Sequence, residues 1–83
     1  MTSTNEELLP RVAEVQTDNN FQLLLKFTNG EIRQFNAKPL LKYPVYKSLI
    51  TNFPLASVQF GTVVWPGDID ISPDKLYLRS TPV

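Results

Sequence analysis

Hydrophobic residues alternate most cleanly in the run "FQLLLKF", where Phe21, Leu23, Leu25 and Phe27 stand at strict period two. That spacing puts all four on one face of a β-strand. The preceding run "RVAEVQTD" supplies Val12 and Val15 and predicts a first strand, with the turn at Asn19-Asn20 between them. "TNGE" then follows Phe27. Asn-Gly between apolar runs is a strong hairpin signal, because both central residues of a type I′ turn need positive φ. A two-residue loop pairs Thr28 with Glu31 and Phe27 with Ile32, which places Phe27 and Ile32 on the core face. The same register sends Leu24 and Phe35 to the opposite face, so either that face is partly covered or a bulge shifts the register within "EIRQFN".

Between Lys38 and Pro54 the period changes. Leu41, Val45 and Leu49 are four apart, as are Tyr46 and Ile50, which predicts a helix stripe. Pro44 suits its first position, and Asn52 with Pro54 makes a stop. "SVQFGTVVW" reads as a second hairpin. Gly61 in the first central position of a type II′ turn pairs Val58 with Trp65 and Phe60 with Val63. "SPDKLYLRS" predicts a short helical turn with Ser72 as cap, Pro73 at its start and Asp74 near its positive end. The expectation is an α+β fold: an antiparallel sheet of four to five strands built from two hairpins, one helix packed on it, and a short C-terminal helical turn. Residues 1–10 are expected as a flexible tail and residues 11–83 as one domain.

A chain of 83 residues buries a small core, and with no cysteine it has no disulfide to reinforce it. Oligomerisation is the remaining common reinforcement, so a homo-oligomer is a natural expectation. The N-terminus has neither the basic nor the apolar region of a signal peptide, and no apolar run is long enough to span a membrane; the expected location is the cytoplasm. Net charge is zero, with eight acidic and eight basic residues, but the charges are segregated. Residues 32–67 hold Arg33, Lys38, Lys42 and Lys47 and no acid. Lys38, Lys42 and Lys47 are therefore the candidate partner-binding residues, either as a docking patch for an acidic protein or simply as a solvated face. Lys42, Tyr43, Tyr46 and Lys47 interleave bases with aromatics, as a weak nucleic-acid binder would. A pI near 6.1 argues against direct nucleic-acid binding.

The stretch "VVWPGDIDISPDKLY" raises the question of chemistry. Asp68, Asp70, Ser72 and Asp74 alternate as in a calcium loop. Pro73 stands where the sharp turn needs glycine, however, and Arg79 where a bidentate Glu belongs, so no metal site is expected. With neither His nor Cys, a Ser or Thr nucleophile lacks its usual base. No phosphate-cradling glycine loop occurs. Catalytic residues and cofactors are thus expected to be absent. Trp65, Pro66, Asp70, Pro73, Leu76 and Tyr77 read as a structural clasp that folds back over the sheet, with the indole N–H on a loop carbonyl. The alternative is a small-molecule-sensing or enzymatic domain that uses Trp65 and the Asp68/Asp70/Asp74 loop.

"FTNGEIRQFNAKPLL" followed by "VVWPGDIDISPDKLY" resembles the small bacterial family catalogued as domain of unknown function 2442. Its members typically show an F-x-N-G-E-x-R hairpin, a P-L-L segment, then W-P, D-[ILV]-[ST]-P and L-Y. Phe27, Asn29, Gly30, Glu31, Arg33, Pro39, Leu40, Leu41, Trp65, Pro66, Asp70, Pro73, Leu76 and Tyr77 match. Asn36 departs from the pattern, where the family tends to have Asp. The resemblance implies a compact α+β domain acting as a regulatory or protein-interaction module, in some members beside a helix-turn-helix domain and in others an antitoxin-like partner of a small neighbouring protein. It transfers no catalytic or cofactor residue.

Overall fold

A computed structural model describes residues 9–83. The chain is a small α+β fold with two antiparallel sheets. The first has the order β1-β2-β3-β7, from β1 (Val12–Thr17), β2 (Gln22–Phe27), β3 (Ile32–Asn36) and β7 (Thr81–Pro82). The second has the order β4-β5-β6, from β4 (Ser57–Gln59), β5 (Thr62–Trp65) and β6 (Ile69–Asp70). Two short α-helices complete it, α1 (Leu49–Asn52) and α2 (Pro73–Arg79). None of the described helices is long and apolar enough to cross a membrane.

The first hairpin forms one residue away from the register expected above. Lys26 faces Ile32 and Leu23 faces Phe35. The Phe27 N–H donates to the Glu31 carbonyl, and Gly30 closes a three-residue loop at φ +90°. A three-residue loop ending in a left-handed residue is the next commonest hairpin after the two-residue one, and Asn-Gly serves both. A slip of one residue exchanges faces. Phe35 therefore joins Leu23, Leu25 and Phe27 in the core, whereas Ile32 is 47% exposed. Glu31 and Arg33 turn to the core side at its margin.

The second hairpin is also corrected. Val58 faces Val63 and Ser57 faces Val64, so Gly61 is the second central residue of its turn and Phe60 the first. Both have positive φ, +55° at Phe60 and +75° at Gly61, which is a type I′ turn rather than type II′. Phe60 does not pair with Val63; it projects from the tip, 92% exposed.

The helical segment between the hairpins spans residues 44–55 as successive turns: a 3₁₀ turn (Pro44–Tyr46), α1, and a second 3₁₀ turn (Phe53–Leu55). A further 3₁₀ segment, Lys38–Lys42, precedes it. Pro39, Pro44 and Pro54 each lack an N–H, so no continuous α-helical ladder forms. The expected stripe accordingly breaks up: Leu49 is buried, but Val45 and Ile50 are exposed. Leu49 and Phe53 carry the segment's burial instead, and with Leu40 from the preceding turn they join Val12, Val63, Trp65, Ile71 and Leu76 in one core with Leu23, Leu25, Phe27 and Phe35. β1 ties the two sheets together, since the Val12 N–H donates to the Gly61 carbonyl at 2.9 Å.

Candidate functional site

Two arrangements of polar side chains stand out. In one, the hairpin register brings Glu31 and Arg33 under α2. The Arg33 guanidinium bonds Glu31 Oε1 through Nη1 (2.8 Å), Ser80 Oγ through Nε (2.7 Å) and the Ser80 carbonyl through Nη2 (2.8 Å). It also lies 4.7 Å from the centre of the Tyr77 ring. The Tyr77 hydroxyl and Asn29 Nδ2 both donate to Glu31 Oε2. Ser80 Oγ in turn donates to the Tyr77 carbonyl. The hydrogen bonds from Tyr77, Asn29 and Arg33 hold the Glu31 carboxyl below its ordinary 4.5, and the bond to Glu31 pushes the Tyr77 phenol above 10.0. Three of the five Arg33 N–H donors and both Glu31 carboxylate oxygens have partners within the cluster. The arrangement ties α2 and β7 to the first hairpin, with the Glu31 side chain still 37% exposed at its edge.

Trp65 is 1% exposed, and its indole N–H donates to the Phe53 carbonyl at 3.1 Å. Its ring stacks on Phe53 with centroids 6.0 Å apart. It presents no face to a ligand. Pro66 leads into the turn to β6, where Trp65 pairs with Ile69 and Val64 with Asp70. The Asp70 carbonyl accepts the Tyr46 hydroxyl, Pro73 begins α2, and Leu76 is buried against the core. Ser72 stands at the N-cap of α2 but makes no side-chain cap bond; its carbonyl receives the Leu76 N–H. Among the described residues, no three His, Cys, Asp or Glu side chains gather as a metal-holding group, and Asp68, Asp70 and Asp74 are no exception.

The second arrangement is open. A groove of about 350 Å³ runs between the end of β3, the Lys38–Lys42 turn and α2. Phe35, Pro39 and Leu40 supply apolar lining, and Lys42, Tyr43, Lys75, Arg79 and Asn36 supply its polar rim. Lys75 and Arg79 are four apart on α2, a like-charge spacing that costs a helix about 0.2–0.5 kcal/mol. Lys42 joins them from the other wall, its Nζ 5.4 Å from the Tyr43 ring centre. Among the described residues, the ion pair is Arg33–Glu31, and none of the three groove cations takes part in one. Of the lysines expected to form a patch, only Lys42 lines this groove; Lys38 and Lys47 do not. Lys75 and Arg79 escaped the sequence reading because they lie more than thirty residues beyond Lys42 and reach it only through the packing of α2.

Residues 12–82 match the model of DUF2442, a protein family of unknown function. The chain belongs to this family. The DUF2442 match takes in both the Glu31–Arg33–Tyr77 cluster and the whole lining of the groove. No curated protein matches this DUF2442 chain, and no solved structure does.

Proposed function

We propose that this DUF2442 chain is a non-catalytic interaction module whose groove receives a negatively charged part of a protein partner. The observation that carries the proposal is the gathering of Lys42, Lys75 and Arg79 around an apolar floor with no carboxylate among the lining residues. Cations placed this way favour acidic partners and speed encounter, while apolar lining supplies the contact that holds. Further support comes from the Glu31–Arg33–Tyr77–Ser80 cluster, whose side chains bond one another and so have a structural task in joining α2 to the first hairpin. A cytoplasmic setting goes with the proposal, since a small domain without cysteine draws nothing from an oxidising compartment. The family resemblance makes a small protein encoded alongside, in an antitoxin-like pair, the first partner to try.

The test is capture of partners from the native cell by wild-type chain and by a triple variant, Lys42→Glu with Lys75→Glu and Arg79→Glu. The expected result is a partner retained by the wild type and lost by the folded variant. Recovery of the same proteins by both would overturn the proposal.

A further inference from the structure

The alternation of hydrogen bonds along β3 adds a third feature to the groove. Towards β2 the bonded positions are odd: the Phe27 N–H meets the Glu31 carbonyl, and the Ala37 N–H meets the Phe21 carbonyl. The even positions therefore face the other way, towards β7. There the Ile32 carbonyl takes the Val83 N–H, and Gln34 faces Thr81. The next even position is Asn36, and β7 does not extend to it. Neither the N–H nor the carbonyl of Asn36 has a backbone partner among the described residues. One open rung of sheet edge thus lies inside the basic groove.

The Asn36 side chain is set for the same task. Its Oδ1 accepts the Lys38 N–H at 3.0 Å and Gln22 Nε2 at 2.9 Å. A backbone N–H can only donate, so the bond from Lys38 fixes the amide with its oxygen inward. Nδ2 has no partner among the described residues, and Asn36 lines the groove together with the three cations. A carboxylate at this position could accept the same two bonds, yet it would place a negative charge in the groove.

We infer that the groove binds an extended acidic peptide segment, which pairs with the Asn36 backbone, sets a carboxylate among Lys42, Lys75 and Arg79, and lays an apolar side chain on Phe35, Pro39 and Leu40. Asn36 sets the selectivity, because its neutral amide keeps the rim wholly attractive to acids. Strand addition takes its affinity from main-chain bonds and its specificity from the flanking pockets. The open N–H and carbonyl complement a peptide backbone. A DNA sugar–phosphate backbone has no donor for the carbonyl, and the chain's zero net charge offers no wider phosphate-binding surface. The volume accommodates side chains of a short segment rather than a folded surface. This inference rests on the interaction-module proposal and names the ligand of the same groove.

The test is titration of the isotopically labelled full chain, followed through its amide resonances, with three probes. One is a capped hexapeptide of alternating Asp and Val, one its Asn/Val counterpart, and one a single-stranded oligodeoxynucleotide of equal charge. The acidic peptide is expected to shift the Asn36, Lys75 and Arg79 amides and to weaken with added salt, with the other two probes binding at least tenfold more weakly. Asn36→Asp, which keeps both acceptor bonds, should fold normally and lose about tenfold in affinity for the acidic peptide. Equal binding of the Asn/Val peptide or the oligonucleotide would overturn the inference, as would indifference to Asn36→Asp. If the acidic peptide fails to bind while the triple charge reversal still abolishes partner capture, the inference falls and the module proposal stands.

Discussion

Removing the Trp65 side chain tests the core most directly. Trp65→Ala takes out a fully buried ring that stacks on Phe53, and substitutions of this kind cost about 3–5 kcal/mol. It also strips the Phe53 carbonyl of its indole donor, and an orphaned buried acceptor costs about 1–3 kcal/mol more unless water enters the cavity. Stability of roughly 0.05–0.15 kcal/mol per residue gives a domain of this length about 4–12 kcal/mol in all. Trp65→Ala is therefore expected to lose most of its stability and, over much of that range, to be unfolded at 25 °C. Trp65→Phe separates the two contributions, since it retains most of the ring packing and loses only the N–H. Its cost should be about 1–3 kcal/mol. Urea unfolding followed by far-ultraviolet circular dichroism reads both variants without relying on the lost tryptophan fluorescence. With a slope of about 1 kcal/mol per molar, Trp65→Phe should lower the midpoint by roughly 1–3 M. A folded Trp65→Ala whose midpoint stays near the wild-type value would refute the assignment of Trp65 to the core. A Trp65→Phe variant as stable as wild type would refute the assignment of energy to the indole bond.

The turn at Phe60 should respond in the opposite direction: Phe60→Asn places a residue tolerant of φ +55° at a solvent-exposed tip and should stabilise the chain by about 1 kcal/mol in the same assay. Gly61→Ala should destabilise by about 1–2 kcal/mol, because φ is +75° and the new Cβ would lie 3.0 Å from the Arg11 Cδ. Thr62→Val should cost about 1–3 kcal/mol, since Thr62 is buried and its hydroxyl donates to the Ile71 carbonyl. Glu31 has a folded pKa below 4.5, so the stability it contributes is present above that value and is lost as pH falls through the folded one; Glu31→Gln should flatten the acid limb of a pH–stability profile. Tyr77 has a folded pKa above 10.0, so its contribution is intact below 10.0 and is lost as pH rises through the folded value. Tyr77→Phe should flatten the alkaline limb only in part, because burial also raises Tyr46.

The alternation in "FQLLLKF" and the punctuation at Asn29-Gly30 were enough to locate β2, β3 and the turn between them. They were not enough to choose between a two- and a three-residue loop, because Gly30 serves either. The choice is made far away in sequence: the longer loop lets Arg33 reach Ser80, 47 residues on, and Glu31 reach Tyr77, 46 residues on. The four-residue spacing of Leu41, Val45 and Leu49 located the helical segment at residues 44–55 but not its form, since the prolines around it divide the hydrogen-bond ladder into short turns. β6 and β7 are two residues each and exist only through their partners, so no local pattern could announce them. The same holds for the groove. Lys42 stands in an acid-free run and was legible, whereas Lys75 and Arg79 acquire their meaning when α2 docks against β3.

The Asn29-Gly30 turn bears on the chemical ageing of the protein. Asn followed by Gly is prone to deamidation, in which the next residue's backbone nitrogen attacks the side-chain carbonyl and expels ammonia. In the folded chain that nitrogen is engaged, the Gly30 N–H donating to the Phe27 carbonyl at 2.9 Å. The attacked group is held as well: Asn29 Oδ1 accepts the Glu31 N–H, and Nδ2 donates to the Glu31 carboxylate. Deamidation should therefore proceed mainly through molecules in which this turn has opened. The new carboxylate would then face Glu31 across a distance now bridged by a hydrogen bond, and the hairpin would close again less firmly. The pace of this loss in a stored sample is therefore set by how often one turn lets go.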